Sequence, residues 1–460
     1  MSVLDQIGDV INKQKINNDI INVKNNINNI ENNVTNIENN INNIENNVRN
    51  ESLDIISKSF TRLPSVDITI DMTDMSKEVS KDGILKYTEN KFDDFGNITE
   101  TTTFTDFINM KWQGSSSIYL PKKNFSIKLF TDEAHKNKDK RAMKSGWYST
   151  NKYVLKANYI DSTHARNIIC ARLWGEVVKS RAVANGSFNE CDSHFINLVN
   201  GGAIDGYPVK VYINKKYYGL YTLNLPKQEQ MFGMGKGVTE GFISDEQNAA
   251  QGEFSSPPTF DGNDFSIEYS SGENQDWIKS SFINLYNAIQ LENSEDFKSS
   301  METLIDKDSV IDYFCFIYYL GLTDNFAKNM LLGTYDGTKW FVSAYDMDNC
   351  FGLKWNSKLI DSPESFNLAT IDRNKLIRKI RYNYKEQVKK RYSYLRKNVL
   401  NLNNLVSKLQ NFSWDIPEYL INEESKMNPV LCSTYCNNIN QIVTWMMVRE
   451  KYVDGIIDSL

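Results

Sequence analysis

The sequence is poor in cysteine and histidine, with six and three of these residues in 460 positions. Three histidines are too few for a histidine-rich zinc centre. The cysteines are scattered and several have apolar neighbours, which is typical of small core side chains rather than of a disulfide framework. The scarcity of both residue types therefore argues against a fold held together by zinc or by disulfides.

Long apolar runs and an excess of basic residues are also missing. No apolar run approaches the ~20 residues that a membrane-spanning helix needs, and the most apolar stretch, residues 312–322, is predicted to be a buried helix. The formal net charge is -6 at pH 7, whereas nucleic-acid-binding proteins normally carry a basic excess. We therefore expect no membrane span and no nucleic-acid partner.

Asparagine is abundant, and it is concentrated in a segment with a regular apolar repeat. Ten Ile or Val residues from Ile16 to Val48 follow each other at alternating spacings of four and three, which is the heptad pattern of a coiled coil. Ile or Val at both seam positions favours three strands over two. Asparagine fills 17 of positions 16–50 and is a poor helix former. We therefore predict a parallel trimeric coiled coil that is helical only when assembled, rather than an asparagine-rich disordered tail.

The pattern of the chain changes after this repeat and divides it into four segments. Residues 1–15 precede the heptads and are a candidate anchor, and residues 16–55 form the stalk. Residues 56–230 alternate apolar and polar side chains, as strands do, around one predicted helix, whereas residues 231–460 are mostly helical. The predicted fold class is therefore α+β, with a stalk, a β-rich first lobe and a mainly helical second lobe. A ligand cleft is expected between the lobes.

Glycine and proline give two further local predictions. The dipeptide Asp82-Gly83 is a typical turn signal. Residues 232–263 contain several Gly and Ser residues and the pair Pro257-Pro258, and this composition predicts an irregular insertion.

Two acidic motifs in the second lobe have the composition of a metal–phosphate site. Asp324 is followed five positions later by Asn329, and Asp346 and Asp348 follow a predicted hairpin that turns at Asp336-Gly337. Mg²⁺ prefers hard oxygen ligands and takes few of them from the protein. Protein kinases use the same order of a positioning Asp, an Asn and a metal-binding Asp. The spacing therefore predicts that these side chains converge on one magnesium ion.

Six motifs follow each other along the chain. They are Lys111–Ser117, Tyr119–Lys128, Tyr153–Asp161 with Arg166-Asn167, Val211–Asn214 with Gly219–Tyr221, and the two acidic motifs. In this order they resemble the spore-coat protein H (CotH) kinase-like family. The resemblance covers residues 60–460 and excludes the stalk. The motif that contains Gly114 and residues 200–208 are similar to CotH-like domains of phage tail proteins.

This resemblance implies a two-lobed atypical kinase fold that binds ATP and a divalent metal ion, Mg²⁺. It implies that Asp324 is the catalytic aspartate, and that Asn329, Asp346 and Asp348 are the metal ligands. In the family these groups serve the transfer of a phosphoryl group from the nucleotide to a hydroxyl acceptor.

The nucleotide itself is expected to contact the first lobe. Gly114 permits close backbone approach, and the hydroxyl of Ser116 can meet a phosphate. Lys123 or Lys128 is expected to bind phosphate as a point charge, and strand alternation places these two lysines on opposite faces, so only one is expected to serve. Lys156, on the strand before the predicted helix, is a further candidate.

The chain departs from the family pattern at two places. Gln113 stands where the family signature has Arg, and Asn224-Leu225 stands where a Thr-Glu pair is usual. Two interpretations of the lobes therefore stay open, an active atypical Ser/Thr kinase and a silent pseudokinase.

The stalk and the family resemblance together predict a virion structural protein, a trimeric phage tail-fibre or baseplate component made in the host cytoplasm. Residues 16–48 are expected to hold the homotrimer, the N-terminus to bind other tail or baseplate proteins, and the heads to contact a host cell-wall receptor. The alternative function is that of an atypical kinase that uses Mg-ATP to phosphorylate Ser or Thr hydroxyls.

Overall fold

The computed structural model describes residues 17, 19–42, 62–185, 194–246, 253–360, 362–414, 416–427 and 438–460. The contacts divide the chain into two units, Met1–Phe60 and Thr61–Leu460. The predicted anchor, residues 1–15, lies outside the described residues.

The described part of the first unit is a helix, α1, over residues 19–42. The predicted seam side chains in this helix are 47–60 % exposed. A single chain shows no coiled coil, so the trimer stays a prediction. These seam residues are Ile20, Val23, Ile27, Ile30, Val34, Ile37 and Ile41.

In the second unit, seven strands close into a barrel in the order β1-β2-β3-β4-β5-β7-β6. Neighbouring strands are antiparallel, except that β1 and β6 run parallel where the barrel closes. The strands are β1 Ser65–Ile70, β2 Lys81–Phe92, β3 Ile98–Gln113, β4 Asn124–Phe130, β5 Lys152–Lys156, β6 Gly206–Ile213 and β7 Lys216–Asn224.

Strand alternation fills the barrel with apolar side chains. Because successive residues of a strand point to opposite faces, every second residue lies in one buried cluster, which includes Ile68, Ile108, Ile127, Leu155 and Leu223. The residues between them point outward, and on β3, β4, β5 and β7 several of them line a cleft.

A second hydrophobic cluster joins the remaining elements, which are a four-stranded sheet of order β11-β10-β8-β9 and the helices. The strands are β8 Gly241–Asp245, β9 Phe265–Ser270, β10 Met330–Thr334 and β11 Trp340–Ala344. The helices are α2 Arg166–Asn185, α3 Asp276–Gln290, α4 Ser294–Leu304, α5 Lys307–Leu320, α6 Leu368–Ile371, α7 Lys375–Asn383, α8 Lys385–Asn398, α9 Leu402–Ser413, α10 Glu418–Met427 and α11 Ile439–Asp458. Short 3₁₀ turns occupy Ser116–Tyr119, Val199–Gly201 and Glu229–Phe232.

The mixed α+β architecture, with a β-rich part and a helical C-terminal part, is confirmed. The predicted buried helix is α5, whose residues from Ser309 to Leu320 are all buried. It ends at Gly321, which has a φ of 64° and so takes the left-handed conformation that glycine adopts at helix ends. The boundary between the lobes at residues 230 and 231 stays a prediction. None of the helices in the described part is long and apolar enough to span a membrane.

One local prediction was wrong and a second was incomplete. The dipeptide Asp82-Gly83 lies inside β2 and not in a turn, and Gly83 pairs with Ile70 of β1. A Cβ atom at this position would lie 2.6 Å from the carbonyl oxygen of Thr69, so the glycine permits close approach of two strands. The predicted irregular insertion contains β8, a strand too short to show alternation in the sequence.

A buried ion-pair network connects three helices of the second unit. Asp312 of α5 is fully buried and accepts hydrogen bonds from Arg181 of α2 and Arg391 of α8. The Arg391 Nε to Asp312 Oδ1 distance is 2.6 Å. Since a buried cation without its partner is costly, this carboxylate holds the helices together.

We therefore expect Asp312→Asn to lower the free energy of unfolding by about 3–5 kcal/mol, because Arg391 loses its counter-charge and Arg181 keeps only its 3.4 Å ion pair with Asp306. Urea denaturation of the purified protein measures the change. Glu133→Gln, which removes an exposed carboxylate, is the matched control and is expected to change stability by less than about 0.5 kcal/mol. Equal effects of the two variants would contradict the prediction.

Candidate functional site

A cleft with a cavity volume of about 660 Å³ lies between the outer face of the barrel and the loops of the acidic motifs. It brings together seven of the nine predicted site residues, although they come from distant parts of the chain. These residues are Gly114, Ser116, Lys156, Asp324, Asn329, Asp346 and Asp348.

The barrel wall of the cleft is built from cross-strand neighbours. Lys111 of β3 pairs with Ser126 of β4, Ser126 pairs with Val154 of β5, and Val154 pairs with Asn224 of β7. All four line the cleft, because residues directly opposite each other in a ladder share a face. Lys156, two residues beyond Val154 on β5, points to the same side.

The central contact of the site is an ion pair between the barrel and the second acidic motif. The Nζ atom of Lys156 contacts Oδ1 of Asp346 and lies 3.1 Å from Oδ2 of Asp348. Burial lowers the pKa of Lys156, but the two carboxylates outweigh burial and raise the pKa above its ordinary value. The lysine therefore stays charged and holds both carboxylates on one side of the cleft.

The carboxylates of the cleft are crowded. Burial, and then the charges of Asp346 and Asp324, raise the pKa of Asp348 to about 6 against the opposing charge of Lys156. Burial and the charge of Asp346 also raise the pKa of Asp324, although the Asn349 amide and Lys328 oppose this shift. Additional positive charge would relieve the repulsion between these groups.

The donor set fits a magnesium ion that takes most of its ligands from outside the protein. The described residues contain no group of three or more His, Cys, Asp or Glu side chains placed to hold a metal ion by themselves. Mg²⁺ usually binds one or two carboxylates and completes its shell with phosphate oxygens and water. Asp346, Asp348 and Asn329 offer hard oxygen atoms of this kind along one wall.

Two of these residues have unusual backbone conformations. Asn329 and Asp346 have φ values of 62° and 46°, in the left-handed region that Asn and Asp tolerate better than most residues. Hydrogen bonds fix this geometry, since the Asn329 N–H donates to the Asp245 carbonyl and the Tyr345 N–H donates to the Asn329 carbonyl, both at 3.1 Å. Such conformations cluster at functional sites.

The predicted glycine loop follows β3 at the edge of the cleft. Gly114 has a φ of 120°, and a Cβ atom there would lie 2.0 Å from Oγ of Ser117, so the turn requires glycine. Asn124 connects this loop to the residue that follows β5, because its Nδ2 donates to Ser117 Oγ at 3.1 Å and its Oδ1 accepts from the Ala157 N–H at 2.7 Å. The loop is therefore held beside Lys156.

Lys123 and Lys128 lie outside the cleft lining. The Nζ atom of Lys123 donates to the carbonyls of Ile118 and Leu120 at 2.7 and 2.6 Å, while Lys128 is exposed on the outer face of β4. Their predicted phosphate contacts have no support from this geometry and stay predictions.

The sequence analysis assigned no role to several polar residues that line the cleft, among them Lys122, Asn349 and Lys328. Lys122 is buried and donates to the Leu220 carbonyl at 2.6 Å and to Glu424. Asn349 donates to the carboxylate of Asp324, and Lys328 lies four positions after that aspartate. Asn349 and Lys328 could have been found from the sequence, because they lie close to the predicted residues Asp348 and Asp324. The partners of Lys122 are distant from it in the sequence.

Comparison of the sequence with models of known protein families shows to which family the chain belongs. A family model described as CotH kinase protein matches residues 110–453, which is more than half of the chain. The chain belongs to the CotH kinase family. A search of curated proteins found no match. The CotH match begins in β3 and ends in α11, so the glycine loop, Lys156 and both acidic motifs of the cleft all lie within it.

A buried histidine lies next to the lining of the CotH cleft, since Nδ1 of His164 is 3.5 Å from Nδ2 of the lining residue Asn158. His164 is 3 % exposed, and burial and the Lys122 charge lower its pKa from 6.5 to about 4, against the opposing charges of Glu424 and Asp161. Because the imidazole has a lower pKa in the folded state than in the unfolded state, the free energy of unfolding depends on pH.

Because the pKa is depressed on folding, the stability contributed by neutral His164 is present above pH 6.5 and is lost as the pH falls toward 4. We expect the wild-type protein to lose about 2 kcal/mol more stability than His164→Gln between pH 7 and pH 5. Urea denaturation at both pH values measures this difference. An identical pH dependence of the two proteins would contradict the prediction.

Proposed function

We propose that the second unit is a magnesium-dependent phosphotransferase that moves the γ-phosphoryl group of ATP to a Ser or Thr hydroxyl. The observation that carries this proposal is the meeting of Lys156 with Asp346 and Asp348 in the cleft that Asp324 also lines. A cation and several carboxylates around one cavity match the needs of a metal–phosphate substrate.

Each residue has a separate task in this proposal. Asp324 accepts the proton of the acceptor hydroxyl as its oxygen attacks the γ-phosphorus and the bond to ADP breaks. Its raised pKa makes it a better proton acceptor than an ordinary aspartate, and the Asn349 amide orients it. Lys156 positions the two carboxylates. Asp346, Asp348 and Asn329 would hold Mg²⁺, which when bound neutralises phosphate charge.

We further propose that α1 joins three copies of the chain into a fibre component of a phage tail or baseplate. The exposed Ile and Val side chains of α1 support the trimer, because buried seam residues are what stabilise an asparagine-rich helix. Attachment to tail proteins through residues 1–15, assembly into a virion made in the host cytoplasm, and contact of the heads with a host cell-wall receptor complete this proposal.

Mg-ATP is expected to raise the melting temperature of the full-length protein, since a ligand that binds only the folded state stabilises it. Asp346→Asn is expected to abolish the magnesium-dependent part of the shift. Asp324→Asn is expected to keep the shift but to lower phosphoryl transfer to casein by a factor of about 10²–10⁴.

Asp94→Asn is the control for both variants, because Asp94 is an exposed turn residue far along the β2–β3 hairpin. It is expected to behave as wild type. Absence of any Mg-ATP shift in the wild-type protein would overturn the proposed phosphotransferase.

Light scattering of the purified full-length protein is expected to give the mass of three chains. The double variant Ile30→Asp/Ile37→Asp places charges at the seam and is expected to give single chains, because buried unpaired carboxylates are costly. Asn32→Asp, on the side of α1 opposite the seam, is the matched control and should keep the trimer. A measured mass of one chain for the wild-type protein would contradict the proposed trimer.

A further inference from the structure

The residues that line the barrel wall of the cleft differ in polarity between its two sides. At the β7 side the lining includes the apolar residues Val154, Ile204, Leu225 and Pro226, beside the polar Asn224 and Lys227. A flat, weakly polar nucleobase fits such a surface, since ligand pockets are lined mostly by apolar groups. The proposed nucleotide therefore has its base at this side and its phosphates near Lys156.

The opposite side of the wall is formed by β3 and the segment before β2. Lys111 lies on β3, two strands away from Val154 along the cross-strand row, which corresponds to about 10 Å at the usual strand spacing. The N–H of Trp112 donates to the Ser76 carbonyl at 3.1 Å, so the adjacent Lys77 lies beside β3, at the cleft.

These two lysines, like Lys328 on the opposite wall, differ from the other lysines of the cleft in their electrostatic environment. Lys122, Lys156 and Lys227 each form an ion pair with a carboxylate. Within the described residues, Lys77 and Lys111 have no carboxylate within ion-pair distance. Two uncompensated ammonium groups on one wall attract an anionic partner, even though the chain as a whole carries a net charge of -6.

We infer that Lys77 and Lys111 form a subsite for acidic side chains of the acceptor, so that the phosphorylated hydroxyl belongs to a Ser or Thr segment flanked by Asp or Glu. This inference rests on the proposed function and names its substrate class. A peptide is favoured because the lysines lie on β3 and on the segment before β2, away from the apolar residues at which the base is placed.

The test is equilibrium binding of two fluorescent serine peptides to the full-length protein, with and without Mg²⁺ and a non-hydrolysable ATP analogue. One peptide has glutamates around the serine and the other has lysines at the same positions. The glutamate peptide is expected to bind more tightly. Lys77→Gln/Lys111→Gln is expected to weaken its binding about fivefold, and added salt should reduce this difference.

Lys86→Gln is the matched control, because Lys86 is an exposed lysine of β2 outside the cleft lining. It should bind the glutamate peptide as wild type does. Melting temperatures of all variants confirm that they are folded. The affinity for the ATP analogue is measured separately and is expected to be unchanged in the double variant.

Three results would overturn the inference. Equal or tighter binding of the lysine peptide would exclude an acidic acceptor. A matching loss of affinity for the ATP analogue in the double variant would assign the lysines to the nucleotide. Tighter binding of poly(glycerol phosphate) than of the glutamate peptide would identify a phosphorylated polymer instead. Because peptide binding needs no turnover, failure of the proposed catalysis would appear separately, as a missing Mg-ATP shift.

Discussion

The ion pair that Lys156 forms with Asp346 and Asp348 is the contact on which the architecture of the cleft depends. It connects a barrel strand to the loop after β11, so the two sheets present their polar groups to one cavity. Removing three charges from water is costly, and their attraction offsets that cost only when the geometry is good. The left-handed backbone of Asp346 and the tie between Asn124 and the residue that follows β5 supply that geometry from both sides of the cavity.

Much of the candidate site was predictable because its determinants are local. The order of Asp324, Asn329, Asp346 and Asp348 around a hairpin is visible in the sequence, and the structure places all four in one cleft. The lysines that contact the cleft were harder to predict, because alternation along β4 does not show which end of a barrel strand lies at a ligand site. Lys122 is the clearest case, since its burial depends on β7 and α10, which are far from it in the chain.

For the fold, too, features that depend on neighbouring residues could be predicted, whereas features that depend on distant parts of the chain could not. The alternation of apolar and polar side chains within residues 56–230 predicted strands, and the seven barrel strands lie in that segment. Gly83 was misassigned because glycine permits both a turn and a close approach of two backbones, and only the pairing with β1 distinguishes them. The short strand β8 has no periodicity of its own and exists because β9 and β10 pair with both of its edges.

The parallel pairing of β1 with β6 has a consequence for the biosynthesis of the protein. Translation proceeds at about 5–20 residues per second, and more than a hundred residues separate Ile70 from Gly206. For several seconds after β1 has been synthesised, the edge of β1 that pairs with β6 in the folded protein has no partner strand. The asparagine-rich segment ahead of it is complete by then, so the proposed trimer would allow nascent chains on one messenger to associate through that segment before any of their heads has closed.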